Sequence, residues 1–322
     1  MAILRWLESI RTPFLDSLFS AITHLGEETI VIVLGILIFW CLNKREGYYL
    51  LGIGLIGTVV NQFLKLLCRI PRPWVQDESF TIVESARAEA TGYSFPSGHT
   101  QTAVGLFGGI ARWNKNTWLR IGCVAVAALV ALSRMYLVVH TPQDVGVSIL
   151  IAAAMVFCLY PLIHRVTEKE RTLRILFGVM TGLAVANLLY VLLCPFPADI
   201  DPHNLSHGTK NAYTMLGCLA GLWLSFEIEH RYIRFEVKAK WWAQLLKVVL
   251  GLALVLAVKE GFKIPMRAIF GEHNLGDGIR YFCMTVFAGC VWPLTFKFFS
   301  KLGAGKETDV PAEAETDRIS AE

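Results

Sequence analysis

Charge is what this chain has least of. Lys, Arg, Asp and Glu make up 17% of its 322 residues, against about a quarter in an ordinary globular domain. It is 54% hydrophobic, with a mean hydropathy of +0.50, too apolar for a soluble fold of this size. Its eight cysteines include no C-x-x-C pair, and most sit inside apolar runs. They read as small buried hydrophobes rather than as a disulfide or metal framework. No Gly-rich nucleotide loop and no serine-nucleophile motif is present. The net charge of +4 is spread along the chain, which argues against a nucleic-acid partner. The start lacks a basic stretch followed by an apolar core, so no cleavable signal is expected.

What the chain does have is apolar runs, at roughly 27–42, 48–67, 99–113, 117–139, 143–163, 172–194, 209–227, 242–260 and 279–299. These predict an all-α, polytopic transmembrane helix bundle of nine spans. Residues 1–26 read as an interfacial amphipathic helix, with Trp6, Phe14 and Phe19 set against Arg5, Glu8, Arg11 and Asp16. The Ala-, Glu- and Asp-rich tail 303–322 reads as disordered. Gly105 with Gly109, and Gly217 with Gly221, have the spacing of close helix contacts.

One set of loops is basic: Lys44 and Arg45; Arg112, Lys115 and Arg120; Arg165, Lys169, Arg171 and Arg174; Arg231, Arg234, Lys238 and Lys240. That set is expected in the cytoplasm. The loop 195–208, with no Lys or Arg, then lies on the other side.

Three polar patches share that second side: Lys65 to Arg72-Pro73, Pro96-Ser97-Gly98-His99, and Ser133-Arg134 through His140 to Asp144. Charges beside a bilayer are expensive and usually functional. Arg72 and Arg134 offer planar forks to phosphate oxygens, and Lys65 a compact charge. Ser97 suits a helix cap, Gly98 admits a close ligand, and the free amides of the first turn face an anion beside His99. Pro142 suits the first position of a helix, placing Asp144 within reach of His140. A carboxylate on one ring nitrogen fixes the tautomer and leaves the other free to attack. Metal binding is disfavoured, because the cations crowding the site would repel it. His24, His164, His203, His207, His230 and His273 have no comparable neighbours and read as structural or solvent-exposed.

The three patches resemble the signature of the type 2 phosphatidic acid phosphatase (PAP2) superfamily, K-x6-R-P, P-S-G-H and S-R-x5-H-x3-D. It stands here as Lys65…Arg72-Pro73, Pro96-Ser97-Gly98-His99 and Ser133-Arg134…His140…Asp144, without departure. The resemblance covers about residues 27–165. It implies that His140 is the nucleophile, that Asp144 orients it and that His99 protonates the leaving oxygen. It also implies that Lys65, Arg72, Ser97, Gly98 and Arg134 hold the phosphate, with no metal or other cofactor.

The expected layout is therefore an interfacial helix at 1–26, a PAP2-like catalytic core at 27–165, extra C-terminal spans at 166–302 and the tail. The expected activity is hydrolysis of the terminal phosphate of a lipid phosphate or pyrophosphate: phosphatidic acid, phosphatidylglycerol phosphate or undecaprenyl pyrophosphate. Rival readings are a lipid-linked phosphotransferase using the same histidine, and a non-enzymatic transporter with Lys259 and Glu260 as an intramembrane pair. The extra spans are candidates for a lipid groove or a homodimer face. The expected setting is a bacterial plasma membrane, with the site on the extracytoplasmic face. The long polar loop 68–98 reads as a lid, an entrance or a disordered segment.

Overall fold

The computed structural model describes residues 1–87, 90–164 and 170–302, and these are helical with no strand. The tail 303–322, Glu89, Arg165 and Lys169 fall outside the described residues.

Where a single interfacial helix is expected, two short ones form, α1 (Ala2–Ser9) and α2 (Pro13–Thr23). Thr12 accepts a hydrogen bond from the Leu15 amide and Pro13 takes the first helical position, so a second helix starts there. A tight turn at His24–Gly26 leads into α3 (Glu28–Cys41). The segments Pro13–Gly26 and Glu28–Cys41 are bent by 50° and pass as a membrane span only together. The expected boundary at 26 thus falls inside a bent helical pair.

α4 (Lys44–Cys68) is started by Asn43, whose side chain accepts from the Arg45 and Glu46 amides. It stops at Arg69, which is left-handed with φ of 50°. The long loop carries a single-turn helix, α5 (Pro73–Gln76). Then come α6 (Gly98–Trp113), α7 (Thr117–Tyr136) and α8 (Pro142–His164). The second half comprises α9 (Glu170–Leu193), α10 (Pro202–Ile228), α11 (Trp241–Gly261), α12 (Lys263–Phe270), α13 (Leu275–Val286) and α14 (Phe296–Lys301).

Helix stands at every one of the nine expected places, but the expected count of nine spans is corrected. Among the described residues, six helical segments are long and apolar enough to cross a membrane, or seven if the bent pair counts as one. α6 has 16 residues, which at 1.5 Å each make about 24 Å, short of the ~30 Å hydrocarbon layer. α10 is long, but its first turns carry His203, Asn204, Ser206, His207, Thr209 and Lys210.

α4 is the hub of the first half, in contact with α3, α6, α8 and α10. Both glycine pairs are close contacts. A Cβ on Gly109 would lie 2.6 Å from Leu50 of α4, and one on Gly217 would lie 2.1 Å from the Gly278 carbonyl of α13. The basic end of the bundle closes through ion pairs, Lys44 with Glu229 at 2.5 Å and Arg174 with Glu227 at 2.9 Å. The Lys259–Glu260 pair expected inside the membrane is instead loose (3.9 Å) and 32% and 60% exposed, because it sits at the end of α11. All eight cysteines are unpaired; Cys123, Cys218 and Cys290 are buried, whereas Cys68 and Cys158 are exposed.

Candidate active site

Five helix ends and loops converge on one cavity of about 310 Å³ at the end opposite the basic loops. Lys65 comes from the last turn of α4, Arg72 from the loop before α5, and Gly98 and His99 from the first turn of α6. Arg134 comes from the last turn of α7, and His140 from the segment joining α7 to α8. All six line the cavity. The two imidazoles therefore face one chamber, as the patch spacing requires.

Local backbone geometry sets His140. The Arg134 carbonyl accepts from the Val139 and His140 amides, both at 3.2 Å. Between them the chain turns at Val138, left-handed with φ of 59°. That conformation is a genuine outlier for a β-branched residue and is held only where its surroundings impose it. Here they do: Val138 is buried in a cluster with Leu4 of α1 and Phe80.

Each face of the His140 ring meets a different partner. On one side Arg72 Nη1 lies 2.9 Å from Nε2. A guanidinium can only donate, so Nε2 is the unprotonated nitrogen and Nδ1 carries the hydrogen. On the other side Asp144 Oδ2 is 3.6 Å from Nδ1, and Ser94 Oγ is 3.4 Å from it. Asp144 Oδ2 also accepts from Ser94 Oγ at 2.6 Å and from the Thr141 amide at 2.8 Å. Burial first, then Arg72, Arg134 and Lys65, hold the His140 imidazole well below its ordinary protonation range. The free ring is neutral, with a lone pair directed at the cations.

Those cations are fixed by backbone oxygens. Arg72 donates to the carbonyls of Thr91 (2.6 Å), Gly92 (3.1 Å) and Val139 (2.9 Å). Lys65 Nζ donates to the Tyr93 carbonyl at 2.6 Å. Arg134 Nη1 donates to Thr23 Oγ1 at 2.6 Å. Three positive charges are thus aimed at one volume by residues 91–93 and the end of α2. Ser97 caps α6 as expected, accepting from the Thr100 amide. Its hydroxyl is fully buried against Thr100 and does not line the cavity. Its amide donates to the Asp144 carbonyl at 3.3 Å, tying the second patch to the third.

Loop 68–98 is a wall rather than a free lid in its described residues. α1 and α2 strap it down: Arg5 pairs with Asp77 at 2.8 Å and lies over Phe80, and Glu8 accepts from the Thr81 amide. Arg11 donates to the Tyr136 carbonyl at 2.8 Å, Asp16 accepts from the Tyr136 hydroxyl at 2.7 Å, and Phe19 stacks on its ring. Trp6 and Phe14 remain 61% and 73% exposed, as an interfacial strap requires.

Sequence reasoning missed three contributors. Ser94, two residues before the second patch, braces Asp144. His207 and Asn211 of α10 line the cavity, so His207 is not a bystander. Only the packing of α10 against α4, tight enough that a Cβ on Gly208 would lie 2.7 Å from Leu66, brings them there.

Comparison with known proteins places most of the chain in two family profiles. The profile of the PAP2 superfamily matches residues 46–168, and that of the PAP2 superfamily phosphatase transmembrane extension matches residues 213–306. Phosphatidylglycerophosphatase B of Bacillus subtilis is 29% identical over 151 residues, which is 42% of this chain and 69% of that protein. Sphingosine-1-phosphate phosphatase 1 of Mus musculus is 24% identical over 266 residues, 76% of this chain and 59% of that protein. The probable sphingosine-1-phosphate phosphatase of Dictyostelium discoideum is 26% identical over 233 residues, 68% of this chain and 56% of that protein. The alignments thus span less than two thirds of the length of these last two relatives. No solved structure matches the chain.

Proposed function

The chain belongs to the PAP2 superfamily, and on that premise we propose that it is an integral membrane phosphatase that removes the terminal phosphate of a lipid phosphate or pyrophosphate through a phosphohistidine on His140. The observation that carries this reading is the two-sided His140 ring, with Asp144 and Ser94 at Nδ1 and a cation at Nε2.

In this reading a substrate phosphoryl group enters among Lys65, Arg72 and Arg134, and its oxygens take over donors now given to protein atoms. The first-turn amides at Gly98 and His99 add to the cradle. Freed of Arg72, Nε2 attacks phosphorus in line. A phosphorus–nitrogen bond forms, the bond to the leaving oxygen breaks, and His99 delivers a proton to that oxygen. Asp144 stabilises the charge that develops on His140. His99 then takes a proton from water, whose oxygen attacks phosphorus and returns the His140 lone pair. Orthophosphate leaves. Positioning and charge stabilisation supply most of the acceleration in such a site.

Phosphatidic acid, phosphatidylglycerol phosphate and undecaprenyl pyrophosphate fit the phosphate end of the cavity, and the names of the relatives add sphingosine 1-phosphate. The basic loops at the opposite end support a site on the extracytoplasmic face of a plasma membrane, by the positive-inside rule. The test is phosphate release from a panel of purified lipid phosphates and pyrophosphates, wild type against His140→Ala. Release at the wild-type rate by that variant sinks the reading.

A further inference from the structure

A second cavity, of about 450 Å³, lies across α10 from the chamber that holds His140. Asn211 lines the chamber and its neighbour Lys210 lines the second cavity, so α10 is the wall between them. The far side is built from the end of α11, from α12 and from the start of α13. Five cations line it: Lys210, Lys259, Lys263, Arg267 and Arg280. Three carboxylates stand among them, Glu260, Glu272 and Asp277. Positive charge is in excess, as it is in the chamber.

The ion pairs do not use up those cations. Asp277 accepts from Arg280 Nη2 at 2.7 Å and stands 3.6 Å from Lys210. Glu272 takes up Arg267 at 2.7 Å, and Glu260 meets Lys259 only at 3.9 Å. Lys263 pairs with no carboxylate among the described residues. Arg280 is the decisive group. It is 8% exposed, and its buried Nε has no hydrogen-bond partner among the described residues. A guanidinium can only donate, and a buried donor left unpaired is costly. An acceptor is therefore wanting beside a side chain that lines the cavity. Depth says where such an acceptor would come from. Trp241–Phe270 runs as one apolar segment of 30 residues. At 1.5 Å per residue it is about 45 Å long, against ~30 Å of hydrocarbon. Counted from the basic end at Lys240, Lys259 to Arg267 stand where the hydrocarbon gives way to headgroups. Ile264 and Ile269 of α12 are exposed away from the cavity, as at the margin of a bilayer.

We infer that this cavity is a second phosphate-binding site, separate from the chamber, which holds the headgroup phosphate of an anionic phospholipid. Two guanidinium groups match phosphate oxygens, and the lysines add compact charge. Basic pockets between membrane helices hold anionic headgroups in this way. A divalent cation is the wrong sign for the excess charge. No bond is made or broken at this site. It stands apart from the phosphatase reading, because neither His140 nor Asp144 borders it.

The test uses the purified full chain in micelles of an uncharged maltoside detergent. The probes are dioleoyl phosphatidylglycerol, inorganic phosphate and, as the lipid without phosphate, dioleoylglycerol. Native mass spectrometry counts retained lipid, and thermal unfolding reads the stabilisation that a bound ligand confers. Wild type should bind phosphatidylglycerol about tenfold or more tightly than dioleoylglycerol, as for charge-assisted hydrogen bonds to phosphate. The double variant Lys263→Gln with Arg267→Gln should lose most of that preference, and Arg280→Gln should lose it too. The double variant changes exposed side chains only, so a failure of Arg280→Gln to fold does not shelter the proposal. Equal binding of the two lipids by wild type overturns it. So does undiminished phosphatidylglycerol binding in the folded double variant, or binding lost in Arg72→Gln instead, which would seat the lipid in the chamber. Stabilisation by inorganic phosphate alone, absent from the double variant, would overturn the lipid and assign the site to the free anion.

Discussion

The first and second halves of the bundle are cohesive for different reasons. Around α4, α6, α7 and α8, buried polar groups are bonded to one another: Asn61 to Gln101, Ser94 to Asp144, Arg134 to Thr23, Arg72 to three carbonyls. Across α9 to α14 the contacts include backbone against glycine and ring against ring, as with Gly217 on Gly278 and Trp292 against Phe296 and Phe299. A saturated polar network specifies one geometry and tolerates little change. Close packing through small residues joins helices without dictating chemistry. The first half is thus built to hold charges in place, and the second to hold the first half upright.

The sharpest break of that contrast comes at His140. Its replacement by Ala should lower turnover by several orders of magnitude, the usual result of deleting a nucleophile. Phosphate release from a lipid phosphate measures it. No variant in α9 to α14 should approach that effect while the chain stays folded.

Arg72→Gln comes next. Losing one preorganised donor to a developing charge typically lowers kcat by about 10²- to 10³-fold. A second readout is pH. After burial, Arg72 is the largest influence holding His140 below its ordinary range. Removing that cation eases protonation, so the His140 pKa rises and the acid limb of kcat/KM moves to higher pH. A limb that stays put would mean that Arg72 acts on phosphate alone.

This contrast also explains how much could be read from the residues. The candidate residues stood out because their types are rare in so apolar a chain and recur at fixed intervals, and six of the eight line one cavity, whereas Ser97 and Asp144 do not. Helix positions were legible from hydropathy for the same reason. Span number was not, because hydropathy does not register that α3 is completed by α2, or that α10 opens with polar turns. Ser94 carried no signal beyond its nearness to Pro96. His207 and Asn211 reach the cavity only through the docking of α10 on α4, a contact between residues far apart in sequence that no local pattern encodes.

Gly217→Ala probes the second half where it is tightest. The added methyl would meet the Gly278 carbonyl at 2.1 Å, and backbone cannot step aside as a side chain can. A loss of about 1–3 kcal/mol in stability is expected, the range for overpacking a close contact. Thermal unfolding in detergent reads it. Turnover per folded molecule should change far less, because Gly217 lies nearly two turns along α10 from Asn211, the nearer of that helix's cavity-lining residues.

His207→Ala tests the one place where the two halves meet in the chamber. His207 and Asn211 stand a turn apart on α10, and both face the volume that the cations face. Neither adjoins His140 or Asp144 in the bonded network, so the imidazole of His207 has no route into the chemical step. A lost neutral hydrogen bond is worth about 0.5–1.5 kcal/mol. KM should therefore rise by about twofold to tenfold, with kcat nearly unchanged, because such a contact is made equally in ground and transition states. A fall in kcat comparable to that of Arg72→Gln would erase the division of labour and make α10 a partner in catalysis. No change in either constant would reduce α10 to scaffolding, and would leave the walls of α3, α4 and α6 to select the lipid unaided.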